Sequence, residues 1–155
     1  IGINWQGNPE IEKDNLRGRS LSLNFFKGIA SKDINLISLQ KGFGTEQIEK
    51  SSFKNRFVKQ QNEISFNWDF VDNASIIFNC DLIITSDTAV AHLAGSMGKR
   101  TWLLLQKIPD WRWGLVSELS FWYPNTKLFR QTSFNNWDEV LTKVILDLDE
   151  FILNY

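Results

Sequence analysis

The chain has 155 residues, 43% hydrophobic and 23% charged, with a net charge of −1 and its acids and bases interspersed. That length suits one domain with a substantial core, since about 70% of the unfolded surface can be buried. The charge balance argues against a nucleic-acid or membrane-coating surface, and no apolar run approaches the roughly 18 residues of a transmembrane helix.

In chain order, Ile1 to Trp5 reads as a first strand and Gln6 to Ser20, with Gly7, Pro9 and Gly18, as a polar loop. Leu21, Phe25, Phe26 and Ile29 recur at helical spacing,. Ile34 to Leu39 is a buried-type strand, and Gln40 to Gly44 a turn, with Thr45 the expected N-cap of a helix from Glu46 onward,. A short strand is expected near Glu63 to Phe66, and Asp69 or Asp72 opens a helix carrying Val71, Ile76, Ile77 and Phe78. Asp81 to Leu105 then reads as strand, tight turn at Ser86-Asp87-Thr88, small-residue helix to Met97, break at Gly98-Lys99-Arg100, and strand. Gln106 to Tyr123 is an aromatic loop in which Trp111, Trp113, Phe121, Trp122 and Tyr123 crowd together,. Thr126 to Arg130 is a last strand. Asn136 starts an amphipathic helix to the end, its apolar side made of Val140, Leu141, Val144, Ile145, Leu148, Phe151 and Ile152,.

Strands alternating with helices imply βαβ units. We expect an α/β, Rossmann-like three-layer α/β/α fold, with a mostly parallel sheet of about six strands in the order 3-2-1-4-5-6. Residues 1–135 form the ligand-binding domain, and 136–155 a helix packing on it or on another domain. The chain begins inside a strand pattern without an initiator Met or a signal-peptide pattern, so it is expected to be a piece of a longer protein,. Cys80 is the single cysteine, which suits a buried structural thiol in a reducing cytosol,.

The candidate sites lie beyond strand ends. At Ser86-Asp87-Thr88 a helix presents unpaired N–H groups and partial positive charge, suited to phosphate; the small Thr88, Ala89 and Ala91 let a ligand approach the backbone. The alternative is that Asp87 or Ser86 caps the helix. His92, the only histidine, shares the helix face of Thr88, either near the ligand or simply packed,. Gln40, Lys41 and Gly42 sit where a second ligand-facing loop belongs, or form a plain turn. The first loop carries Asn8, Lys13, Arg17 and Arg19, and arginine suits forked recognition of phosphate. Asp110-Trp111-Arg112-Trp113 either stacks on a base or sugar or packs as a loop. Asp147 and Asp149 resemble a D-x-D metal motif but sit on the terminal helix, as surface acids would. With one histidine no multi-histidine metal site is possible. The assembled chemistry suits a nucleotide or nucleotide sugar.

Ser86-Asp87-Thr88-Ala89-Val90-Ala91-His92-Leu93-Ala94-Gly95-Ser96-Met97-Gly98-Lys99-Arg100 resembles the hallmark of heptosyltransferase-like glycosyltransferases, family 9. Ile1 to Pro9, Arg17 to Ser20, Ser38 to Gly42 and Pro109 to Trp113 sharpen the likeness toward the variant attached to tetratricopeptide repeats in bacteria. The resemblance implies a GT-B architecture of which this chain is the C-terminal, donor-binding half. It implies inverting, metal-independent transfer from a nucleoside diphosphate sugar, without a cofactor. Asp87 then matches the sugar-contacting aspartate, Thr88 and Ala89 the diphosphate-holding positions, and His92 the histidine of the same helix. Arg19 falls near the basic residue that neutralises phosphate, Gln40 and Lys41 where the nucleoside is held, and Asp110 to Trp113 on the cleft wall. The general base is expected on the facing N-terminal domain, so this piece alone is expected to be inactive. The implied partners are the donor, that domain and the repeats, at a cytoplasmic location with association to the inner membrane left open. A non-catalytic nucleotide-binding or protein-interaction module is the rival reading.

Overall fold

The computed structural model describes residues 1–12, 18–66 and 69–154. Five strands form one all-parallel sheet: β1 Gly2–Asn4, β2 Ile37–Ser38, β3 Ile83–Ser86, β4 Thr101–Leu105 and β5 Thr126–Arg130. Their order is β2-β1-β3-β4-β5. The helices are α1 Lys27–Ala30, entered through a 3-10 turn at Leu23–Phe26, then α2 Gln47–Lys50, α3 Gln61–Phe66, α4 Phe70–Phe78, α5 Ala89–Ser96 and α6 Asp138–Leu153. This is a Rossmann-like α/β fold.

Side chains alternate along each strand, so the sheet has two apolar faces. Ile3, Trp5, Leu82, Ile84, Trp102, Leu104 and Phe129 pack with Phe26 and Ile29 and with Val140, Val144 and Leu148 of α6. Ile83, Leu39, Leu103, Leu105 and Leu128 form the opposite face with Ile77 of α4 and Ala91 and Ala94 of α5. The terminal helix therefore contributes to the larger core, with Leu141, Ile145, Phe151 and Ile152 packed at its margin. Cys80 is buried, its thiol directed to the Ile76 carbonyl. Among the described residues no helix is long and apolar enough to cross a membrane.

Five strands replace the expected six. Glu63 to Phe66 is not a strand but lies in α3. What remains of the sixth strand is one parallel bridge, Leu36 to Phe57, flanked by Leu36 N–H to the Arg56 carbonyl and Val58 N–H to the Leu36 carbonyl. Beyond it a side chain does the work of the backbone. Gln61 Oε1 accepts the Ser38 N–H at 2.7 Å and its Nε2 donates to the Ser38 carbonyl at 3.1 Å. One amide thus satisfies the outer edge of β2, and the chain is free to coil into α3. If Phe57 is counted as a rudimentary strand, the order is the expected 3-2-1-4-5-6.

Two caps differ in outcome. Asp69 caps α4, accepting the Val71 N–H at 2.7 Å. Thr45 does not cap α2: Glu46 holds the N-cap position without a side-chain bond, and Thr45 Oγ1 turns back to the Gly42 carbonyl at 2.7 Å. The tight turn that begins at Gly42, with φ of 63°, has captured the hydroxyl,.

Candidate functional site: a cleft at the carboxyl ends of three strands

The loops following β1, β2 and β3 enclose a cleft of about 1050 Å³. It lies where the chain reverses direction across the sheet, between β1 and β3, the usual ligand position in such folds,. Asn4, Asn8, Arg19, Lys41, Asp87, Thr88, Ala89, His92 and Arg112 line it, together with apolar Leu39, Phe43, Phe70, Ile77 and Leu93.

At the β3–α5 turn neither capping alternative is realised. Thr88 is the N-cap, extended at φ −138° and ψ 175°, and no side chain among the described residues caps the helix. The Thr88 hydroxyl instead donates to Asn4 Oδ1 at 2.9 Å. Ser86 Oγ is buried without a partner. The Ala91 N–H bonds back to the Thr88 carbonyl, so the Ala89 and Val90 N–H groups are the uncapped donors at the positive end of α5. Thr88 therefore offers a ligand its backbone and an oxygen lone pair, its hydroxyl proton being given to Asn4.

Asp87 is 6% exposed. Burial pushes its carboxyl above the usual range, against the smaller opposing influence of the Trp113 indole, Arg19 and His92. The Trp113 N–H is buried and reaches no partner in good geometry. Its influence on Asp87 is one of proximity. Because the folded pKa is raised, stability from this group is present at low pH and lost as pH rises from the ordinary value through the raised one. At pH 7 the carboxylate is a cost to folding. Asp87→Asn is therefore expected to leave Tm unchanged or raise it while abolishing a function that needs the charge. Thermal melts at pH 7 and pH 4 check this, and a large fall in Tm at pH 7 would give Asp87 a structural role instead.

His92 is half-buried and stacks on Trp113 at 5.2 Å. Its Nδ1 lies 3.0 Å from the Tyr123 hydroxyl. Burial lowers its pKa, so the ring is neutral at pH 7, with Asp87, Arg112 and Asp110 as the charges around it. It both packs and lines the cleft.

Gln40 has a structural part beside the one expected. It is 2% exposed, and its amide is saturated by the protein. Oε1 accepts from Asn4 Nδ2 (3.0 Å) and from the N–H groups of Trp5 (3.2 Å) and Gln6 (3.0 Å). Nε2 donates to the carbonyls of Gln6 (2.8 Å) and Phe43 (2.7 Å). Gln40 lines the cleft and latches the first two loops together, its amide already paired within the protein. The Lys41 ammonium lines the cleft and donates one of its three N–H groups to the Ile64 carbonyl of α3, and burial lowers its pKa,. Gly42 lines the floor at a φ only glycine adopts readily,.

Arg19 is at the cleft, but it is not a bare cation. Its Nε pairs with Glu12 at 3.0 Å and its Nη1 donates to the Asp87 carbonyl at 3.1 Å. Ser20 Oγ also donates to Glu12 Oε1, at 2.6 Å, and accepts the Gly7 N–H at 2.9 Å. A Cβ on Gly7 would fall 2.6 Å from Glu12 and 2.7 Å from Arg19, so Gly7 is what lets this pair close. Lys13 and Arg17 lie outside the described residues.

The D-W-R-W segment divides. Asp110 caps a single 3-10 turn, Trp111–Trp113, accepting the Arg112 N–H at 3.0 Å. Arg112 lines the cleft, paired with Asp110 and lying over the Trp111 ring. Trp113 is buried beneath His92, and Trp111 stands exposed against Trp122. Only Arg112 of the four lines the cleft directly. Asp147 and Asp149 are surface acids, paired with Lys127 and Lys32. Among the described residues no cluster of three or more candidate metal ligands occurs.

Asn4, Glu12, Phe43 and Phe70 are not singled out by the sequence, and Tyr123 only as one of the aromatic cluster. Asn4 carried the one readable signal, a polar residue at the carboxyl end of a buried strand. No protein-family model matches this chain, and neither a curated protein nor a solved structure does.

Proposed function

We propose that the cleft is the donor site of an inverting, metal-independent glycosyltransferase, holding a nucleoside diphosphate sugar. The observation that carries this reading is the uncapped start of α5 at the crossover between β1 and β3. Thr88 is drawn aside by Asn4, leaving backbone donors of Ala89 and Val90 at the positive end of a helix,. A volume of about 1050 Å³ accommodates a ligand larger than a simple anion,. Phe43 and Phe70, both largely exposed at its apolar side, give a nucleobase surfaces to stack on,.

In this reading the diphosphate rests on α5 beside Arg19, Asp87 contacts the sugar, and Phe43 and Phe70 flank the base. As the sugar leaves, negative charge grows on the diphosphate. Preorganised N–H dipoles and the remaining N–H groups of Arg19 stabilise that charge without a metal. No general base is assigned here; the reading places it on a facing domain, so the chain by itself binds donor and transfers nothing. The resemblance to the tetratricopeptide-linked variant, and with it the cytoplasmic location, belongs to this proposal.

Titration calorimetry with ADP, GDP and UDP, and with their hexose conjugates, tests it. Binding to wild type, weakened by Asp87→Asn only when the sugar is present, supports the reading. No binding at millimolar nucleotide overturns it. That result would favour an interaction module, for which the exposed Trp111, Val116, Phe121 and Trp122 of the aromatic loop are the specific observation,.

A further inference from the structure

We propose that Tyr123 is a positioning residue of this cleft, holding His92 as the tautomer that carries its proton on Nε2 and so presents a neutral donor to the ligand. The inference rests on the reading of the cleft as an anion site.

Tyr123 is held from several sides. Its N–H bonds to Ser120 Oγ at 3.2 Å, and its carbonyl accepts the Thr126 N–H at 2.9 Å. Its ring lies against the face of α5 that Gly95 leaves bare. A Cβ on Gly95 would sit 2.5 Å from Tyr123 Cγ and 2.7 Å from Cδ2, so no side chain fits there. The ring packs edge-on to His92 at 5.8 Å and tilted against Trp113 at 6.2 Å. Trp113 in turn stacks on the imidazole at 5.2 Å. Two aromatic rings therefore fix the plane of His92, and the phenol fixes its Nδ1 edge at 3.0 Å.

The phenol has one proton and no other partner among the described hydrogen bonds, and a neutral imidazole has one donor and one acceptor nitrogen. When the Tyr123 O–H donates to Nδ1, the imidazole proton must reside on Nε2. The opposite arrangement would leave an Nε2 lone pair in a cleft that collects anions, where it repels phosphate oxygens. His92 follows Thr88 by one helical turn and lines the same cleft,. An Nε2–H there adds a side-chain donor beside the Ala89 and Val90 N–H groups. Two carboxylates, Asp87 and Asp110, and one guanidinium, Arg112, stand about the ring, and the Tyr123 hydroxyl is the group that meets a ring nitrogen at hydrogen-bond distance.

Because the chain has a single histidine, its nitrogen resonances are unambiguous. We expect long-range 1H–15N spectra of the wild-type chain at pH 7 to show Nε2 protonated and Nδ1 as an acceptor. Tyr123→Phe keeps the ring against Gly95 and should convert this to a tautomer mixture with little change in Tm. Gly95→Ala, which displaces the ring, should give the same spectral change by another route. Pyrophosphate and UDP should shift the wild-type Nε2 signal and bind Tyr123→Phe about 3- to 10-fold more weakly, the effect of one neutral hydrogen bond. A wild-type Nδ1–H tautomer, or one unchanged in Tyr123→Phe, overturns the positioning role. An altered tautomer in the variant with no response of wild-type Nε2 to either anion overturns the donor role of His92; the nucleotide-sugar reading falls separately, if calorimetry finds no nucleotide binding.

Discussion

Gln40→Ala is expected to lower stability by about 3–5 kcal/mol, a large share of the 5–15 kcal/mol typical of a whole domain. The substitution removes five hydrogen bonds from a site that is 2% exposed. Left behind are the N–H groups of Trp5 and Gln6, the Asn4 amide and the carbonyls of Gln6 and Phe43. Each buried group without a partner costs about 1–3 kcal/mol, and some relaxation or water entry keeps the total below the sum. Asn4 is the link to function. Its Nδ2 is held by Gln40, and its Oδ1 holds the Thr88 hydroxyl away from the α5 cap position. Loosening Gln40 therefore frees Thr88 to turn and cap the helix itself, closing the anion site from within. Gln40→Met, of similar length and without hydrogen bonds, should lose nearly as much stability as Gln40→Ala. Urea denaturation measures both. A loss under about 1 kcal/mol in the alanine variant would mean that the two loops hold together without their latch.

The contrast between Gln40 and Asp81–Leu105 shows what a sequence discloses. The strand–helix–strand unit is legible because its information is local. Leu82 to Ile84 and Trp102 to Leu105 are apolar runs of strand length, and the small residues between them suit a helix packed close on the sheet,. The terminal helix is legible for the same reason, since its apolar period survives whatever it packs on. Gln40 is different. Its position after a strand is local, but four of its five partners lie in Asn4, Trp5 and Gln6, on a neighbouring strand and loop. Nothing near Gln40 distinguishes an amide that reads a ligand from one that ties two loops. Gln61 misleads in the same way, because an amide standing in for a backbone rung leaves no trace in the hydrophobic pattern. The Tyr123–His92 bond joins residues 31 apart, and no periodicity spans that interval. Asp110 is the exception that local reading could have reached: an Asp whose carboxylate meets an N–H two residues on is a common turn,.

The first loop holds the other large effect. Arg19→Ala is expected to destabilise the chain by about 2–3 kcal/mol as well as to abolish anion binding, because it strands Glu12. The two side chains are only 16% and 10% exposed, and the pair is closed over by Gly7. Removing one partner of a buried pair costs about 3–5 kcal/mol; the open cleft admits water and reduces the cost here. The electrostatic consequence is greater than the loss of one cation. In the native cleft Arg19 and Glu12 nearly cancel, and the guanidinium edge not engaged by Glu12 reaches the Asp87 carbonyl at the start of α5. Without Arg19, the Glu12 carboxylate and the Asp87 carboxylate remain in the first and third loops with no intervening charge among the described residues, and a diphosphate meets their repulsion. Stability and binding should therefore separate in a second variant. Arg19→Met with Glu12→Gln removes both charges while keeping the volume and a hydrogen-bond partner for Ser20, so it should recover most of the lost stability. It should not recover binding, since the cation has not returned. Chemical denaturation and calorimetry with UDP on the wild type, the two single variants and the double variant complete the cycle. If the double variant binds as wild type does, Arg19 serves only to neutralise Glu12, and the diphosphate must be held by the α5 backbone and its neighbours alone.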